Sequence, residues 1–82
     1  MKAFDEAIEI NPQFENAWYN KGIVLGDLKK YYEAVQCFDN ATEIDSLDAA
    51  AWNNKSIALN KLGRTTESKA AFDKATDLGY AS

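Results

Sequence analysis

The sequence contains no histidine, one cysteine, one proline and four glycines. Each scarcity closes off a class of fold or function. Without histidine there is no imidazole, the side chain most used as a general base near neutral pH and as a metal ligand. No Ser or Cys can then be paired with one as an activated nucleophile. The single Cys37 excludes an intrachain disulfide framework and is compatible with a reducing compartment. So little proline and glycine leaves few enforced breaks and points to mostly helical structure. The glycines form no phosphate-binding loop, because Gly22, Gly26 and Gly63 stand far apart within helical patterns. Basic runs are missing as well: nine Lys plus Arg face 13 Asp plus Glu, for a net charge of −4. That balance carries no electrostatic footprint for DNA or RNA and is repelled by an anionic membrane surface. No apolar run approaches a membrane span, and Met1-Lys2-Ala3-Phe4-Asp5-Glu6 has no signal-peptide core. These readings describe a soluble, cytoplasmic, non-enzymatic chain with no cofactor and no metal. The cluster Asp39, Glu43 and Asp45 reads as a solvated acidic helix face, since a calcium loop needs close-set oxygens on a turn and a glycine for the bend.

What the chain does contain is itself, twice. Ala17-Trp18-Tyr19-Asn20-Lys21 returns 34 residues later as Ala51-Trp52-Asn53-Asn54-Lys55. Ile23, Leu25 and Leu28 return as Ile57, Leu59 and Leu62. Phe4-Asp5 returns as Phe38-Asp39 and again as Phe72-Asp73, each followed by an alanine: Ala7, Ala41 and Ala75. Laying Glu15–Asp48 over Ala49–Ser82 gives 12 identities in 34 positions. A fixed period of this size marks a stack of like supersecondary units, which builds a surface rather than a catalytic pocket.

Within each unit the pattern is helical. Trp18, Gly22, Leu25 and Leu28 fall on one face, and Lys29 and Lys30 follow where cations suit a helix C-terminus. A second helical stripe runs from about Tyr32 to Ile44 through Ala34, Phe38, Ala41 and Ile44. The short connection forces the two helices antiparallel. Ser46 or Asp48 can cap the next helix, which runs to about Leu62, with Gly63 in the left-handed position beyond it. Thr65 can cap the last helix, which ends near Leu78 before Gly79. Met1–Ile10 forms a leading helix that Asn11-Pro12 ends. The expectation is five helices in an all-α chain, with the Trp and Phe residues in the core. Cys37 is expected to be an inert small hydrophobe, because its counterparts are Ala3 and Ala71.

Trp18, Gly22, Ala34, Phe38 and Ala41, and less fully Trp52, Phe72 and Ala75, make the chain resemble the tetratricopeptide repeat, a 34-residue helix–turn–helix. Lys21 and Lys55 stand where that family usually has Leu, and Leu25 and Leu59 where it has Tyr. Ser56 and Ser68 replace Gly and Ala, and Ser46 and Tyr80 replace the closing Pro. The departures are conservative in size or fall at turns. The resemblance implies a right-handed superhelical stack of antiparallel helix pairs. Its register divides the chain into 1–14, the end of one repeat, and the full repeats 15–48 and 49–82. This predicts a fragment of a longer array.

The resemblance also implies a concave groove lined by the first helix of each pair. The corresponding stripes carry Asn16, Tyr19, Asn20, Ile23, Gly26 and Asp27, then Ala50, Asn53, Asn54, Ile57, Asn60 and Lys61. From them Asn16, Tyr19, Asn20, Ile23, Asp27, Asn53, Asn54, Ile57, Asn60 and Lys61 are the expected ligand contacts. Asn amides both donate and accept, so they can pair with the backbone of an extended ligand. Tyr19, Ile23 and Ile57 would take apolar side chains, and Asp27 and Lys61 would set charge register. The family's carboxylate clamp wants polar or cationic groups where Tyr19, Ile23 and Ala50 stand, and only the Asn rungs match, so that ligand class is disfavoured. The expected partner is a protein or peptide. The alternative function is self-assembly: Met1–Ile10 and the last helix leave apolar faces uncovered, which predicts a homo-oligomer through the chain ends.

Overall fold

The computed structural model describes residues 2–11 and 13–80 as five α-helices: α1 Lys2–Ile10, α2 Glu15–Asp27, α3 Tyr31–Ile44, α4 Ala49–Lys61 and α5 Thr65–Asp77. No strand occurs among the described residues. Expectations that rest on Met1, Pro12, Ala81 or Ser82 lie outside them. Helix α2 packs on α3 and α4 on α5, the two hairpins meet through α3 and α4, and α1 lies against α2.

The core follows from the small residues of the repeat. Ala34, Ala41, Ala51 and Ala75 are fully buried, which lets helix backbones approach closely, and Leu25 and Leu59 fill the space between them. Phe38 joins this cluster beside Val35, Cys37, Ala58 and Ala71. Its ring lies so close over Gly22 that a Cβ there would come within 2.6 Å of it. Burial pushes the Cys37 thiol above its ordinary range, which disfavours the reactive thiolate.

Several expected core residues sit further out. Trp18 and Trp52 are only half-buried and pack on the edge of the cluster. The indole Nε1 of Trp52 donates to the Ser46 carbonyl at 3.0 Å, keeping the ring near the surface. Leu28 is 56% exposed because it is the residue closing α2, beyond the last buried turn. Phe72 is 38% exposed where its counterpart Phe38 is 3% exposed, because Phe38 is covered by α4.

The turns show why the helices stop. Asp48 caps α4, its Oδ1 accepting from the Ala51 amide at 3.2 Å. Ser46 and Thr65 do not cap. The residue before α5 is Arg64, without a side-chain cap. Its amide bonds back to the Leu59 carbonyl at 2.9 Å while its own carbonyl receives the Ser68 amide at 2.9 Å. One residue thus closes α4 and opens α5, leaving Thr65 inside the helix. Arg64 also forks onto Glu67 at 2.8 and 3.1 Å. The same closure ends α2, from Lys30 to Leu25, and α5, from Tyr80 to Ala75. It requires a left-handed residue, supplied by Gly63 and Gly79 but by Lys29, at φ 62°, after α2.

The lysines that replace the family's usual Leu have a shared use. Lys21 Nζ reaches Asp5 Oδ1 and Lys55 Nζ reaches Asp39 Oδ1, each at 2.7 Å. Each ties the first helix of one repeat to the second helix of the repeat before. The same ammonium groups lie 5.9 Å from the Trp18 ring centre and 5.1 Å from that of Trp52. With the carboxylates half exposed, each bridge is worth about 0–1 kcal/mol, so they set register more than they set stability.

Candidate functional site

A groove of about 220 Å³ runs between α2 and α4. Its wall on the first repeat is Gly22, Ile23, Gly26 and Asp27, with Tyr31 and Phe38 from α3; its wall on the second is Asn54, Ile57, Ala58 and Lys61. These positions meet because α2 and α4 are the same helix one repeat apart, with α3 packed beneath both. The lining mixes apolar side chains with a few polar and charged ones, the common composition of a binding cleft.

The structure brings Ile23, Asp27, Asn54, Ile57 and Lys61 into this one groove. Asn16 and Asn20 are exposed on α2 outside its lining, and Asn53 is half-buried outside it on α4. Asn60 lines a second depression beside α5 with Ser56, Ser68 and Phe72, and Ile57 borders both. The single Asn-rich ladder expected from the stripes is therefore split, because positions three or four apart spread over more of the helix surface than one groove covers. Tyr19 is committed to the fold. Its ring meets Phe38 edge-on with centroids 6.0 Å apart, and its hydroxyl accepts from Asn54 Nδ2 at 2.9 Å. Burial raises its pKa above the usual tyrosine range, with the bond from Asn54 opposing the shift. That bond uses one hydrogen of the Asn54 amide and joins the two repeats across the groove. The Oδ1 and the other hydrogen retain their capacity for a ligand.

Tyr31 and Phe38 were not among the expected contacts. Tyr31 escapes sequence reasoning because it opens α3, one residue before the expected start. Phe38 reads from the pattern as core, which it also is; the same core residue lines the groove.

Near the start of α4, Glu15, Asp45 and Asp48 gather. Glu15 Oε2 is buried with no hydrogen-bond partner, and the Glu15 pKa is raised to about 7, first by burial, then by the neighbouring Asp48, to which only a protonated carboxyl can donate, and by repulsion from Asp48 and Asp45. A proton on Glu15 gives its carboxyl a donor toward Asp48, which itself caps α4. No group of three or more His, Cys, Asp or Glu suited to a metal ion occurs among the described residues, and none of their helices is long and apolar enough to cross a membrane. A larger depression of about 530 Å³ lies between α2 and α3, lined in part by Trp18, Lys21, Cys37 and Asp39. Of its charged groups, Lys21 and Asp39 are used in the ion pairs between repeats, and Glu33 stands exposed on α3.

Two stretches, residues 15–46 and 49–78, each match the tetratricopeptide repeat. An uncharacterized protein of Methanocaldococcus jannaschii is 45% identical over 37 residues, which make up 45% of this chain and 43% of that protein. Among solved structures, YrrB, a TPR protein with an unusual peptide-binding site, superposes with a TM-score of 0.87 at 28% identity over 96% of this chain and 41% of its own. MamA superposes with a TM-score of 0.89 at 22% identity over 94% of this chain and 42% of its own, a likeness of fold alone. The chain spans less than half the length of each of these proteins. With both repeat units matched and five helices stacked as in these structures, this chain belongs to the tetratricopeptide repeat family.

Proposed function

We propose that this chain is a non-catalytic protein-interaction scaffold that holds an extended peptide or a partner helix in the groove between α2 and α4. The observation that carries the reading is the groove itself, which combines apolar lining from Ile23, Tyr31, Phe38 and Ile57 with polar lining from Asp27, Asn54 and Lys61. Ile57 is half exposed, and covering such surface contributes about 25 cal/mol per Å². Asn54 then pairs with the ligand backbone, each such bond being worth about 0.5–1.5 kcal/mol. The family typically serves protein interaction without catalysis, and YrrB has a peptide-binding site; both favour the same reading. The test is selection of ligands from a random peptide display library, followed by amide chemical-shift mapping of the labelled chain. Shifts concentrated at Ile23, Gly26, Tyr31 and Ile57 are the expected result. Tight binders that shift only residues of the α2–α3 depression refute the groove.

A second reading, self-association through the ends of the stack, is favoured by apolar exposure there: Ile10 is 86%, Phe14 44% and Phe72 38% exposed. Burying these between copies gives a homo-oligomer. Sedimentation equilibrium decides it, since a monomer mass at millimolar concentration refutes self-association.

A further inference from the structure

The two helices that form the groove end with the same geometry but are built from opposing residues. Each closes by the same backbone bond, Lys30 to Leu25 at 2.8 Å after α2 and Arg64 to Leu59 at 2.9 Å after α4. The end of α4 holds Asn60, Lys61 and Gly63, which places a cation at the negative end of the helix and glycine at the left-handed residue, both favoured. The matching places in α2 hold Gly26, Asp27 and Lys29. A glycine stands inside the helix, a carboxylate sits at the negative end, and a lysine takes φ 62°. Each choice is locally unfavourable.

Packing does not account for Gly26, because a Cβ there would meet nothing within 4 Å. An ion pair does not account for Asp27, whose carboxylate makes no hydrogen bond or salt bridge with any described residue. What Gly26 and Asp27 share is the groove, which both line, while Lys29 lies outside it. Local rules broken without a compensating contact mark a place shaped by something other than folding.

We propose that the groove selects a basic peptide segment: a Lys or Arg side chain set against Asp27 at the C-terminal end of α2, with a neighbouring apolar side chain between Ile23 and Ile57 and the ligand backbone crossing the open shelf at Gly26. The inference rests on the groove reading above and adds the chemistry and direction of the ligand. Lys29 and Lys30 follow at the same end of α2 but neither lines the groove, so from the groove side Asp27 is the charge a ligand meets on α2, and a cation set against it is favoured by the carboxylate and by the carbonyl end of the helix. Lys61 at the end of α4 makes that end unfavourable for a cation, so the ligand binds in one direction. The net charge of −4 steers a basic partner toward the chain from a distance.

The experiment is display selection of a random peptide library on the wild-type chain, then fluorescence anisotropy of a selected, labelled peptide with wild type, Asp27→Lys, Gly26→Ala and Glu43→Lys. Glu43 is exposed and outside the groove, so its reversal matches the change in net charge without touching the site. Expected are sequences pairing a basic with an apolar residue at constant spacing. Affinity should fall about tenfold or more with Asp27→Lys, the size of one charge-assisted hydrogen bond. It should also fall with Gly26→Ala and change little with Glu43→Lys. Thermal melts should show Asp27→Lys and Gly26→Ala at least as stable as wild type, which separates lost binding from lost folding. Peptides that map to the groove but show no basic preference, or equal losses for Asp27→Lys and Glu43→Lys, overturn this inference and leave the groove reading standing. No enriched peptide, or peptides that map elsewhere, overturn the groove reading and this inference with it.

Discussion

Gly22 and Gly26 lie one turn apart on α2, and replacing each by alanine should move stability in opposite directions. Alanine is the better helix former by about 0.5–1 kcal/mol, and this gain applies at both positions. At Gly26 nothing opposes it, because the new Cβ meets no atom within 4 Å; the variant should gain about 0.5–1 kcal/mol. At Gly22 the new Cβ would lie 2.6, 2.8 and 3.0 Å from Cε1, Cζ and Cδ1 of Phe38. That ring is buried in the core cluster with Tyr19 edge-on to it, so it has little room to retreat. Overpacking of this kind costs about 1–3 kcal/mol, so Gly22→Ala should lose up to about 2.5 kcal/mol net. For a domain of this size each kcal/mol moves the midpoint by about 4–8 °C, so thermal unfolding followed by far-ultraviolet circular dichroism separates the two variants clearly. A Gly22→Ala midpoint at or above that of wild type, or a Gly26→Ala midpoint below it, would refute the packing on which both assignments depend.

Lys29→Gly should stabilise the chain by about 0.5–1 kcal/mol, because relief of a left-handed lysine exceeds the added freedom of glycine in the unfolded chain; an unchanged melting temperature would refute strain at this turn. Glu15 should make stability fall as pH rises from about 4.5 to about 7. Its folded pKa is raised, so over that window the native state binds the proton and the unfolded state has lost it, and the contribution flattens above the folded value. Glu15→Gln should remove that slope and raise the melting temperature at pH above 7, and a slope unchanged by the substitution would exclude Glu15 as its source. Leu59→Ala should cost about 2–5 kcal/mol in a urea titration, and more than Trp52→Ala, because Leu59 is 1% exposed and Trp52 only half-buried. The reverse order would mean that the indole rings, and not the leucines, form the centre of the core.

The number of helices, their boundaries to within a residue or two, and the pairing of α2 with α3 and α4 with α5 were legible in the sequence. The period of 34 and the helical spacing of apolar residues are local properties of the chain. The left-handed Gly63 and the cap at Asp48 were legible for the same reason, since each acts within a few residues of itself. Thr65 was misread as a cap because the residue before it, Arg64, both ends one helix and begins the next, a condition set by its bond back to Leu59 in the preceding helix.

The groove is different. That Ile23, Asp27, Asn54, Ile57 and Lys61 line one space while Asn60 lines another depends on how far α4 is rotated and translated from α2. Tertiary packing sets that offset through Phe38 over Gly22, the bond between Tyr19 and Asn54, and the bridge between Lys55 and Asp39. The sequence by itself determined the repeat and its helices, because hydrogen bonds and apolar periodicity act along one chain segment. The tertiary structure alone decided which side chains meet across the groove, because contacts between repeats depend on geometry accumulated over a whole helix pair, where a small rotation exchanges one neighbour for the next.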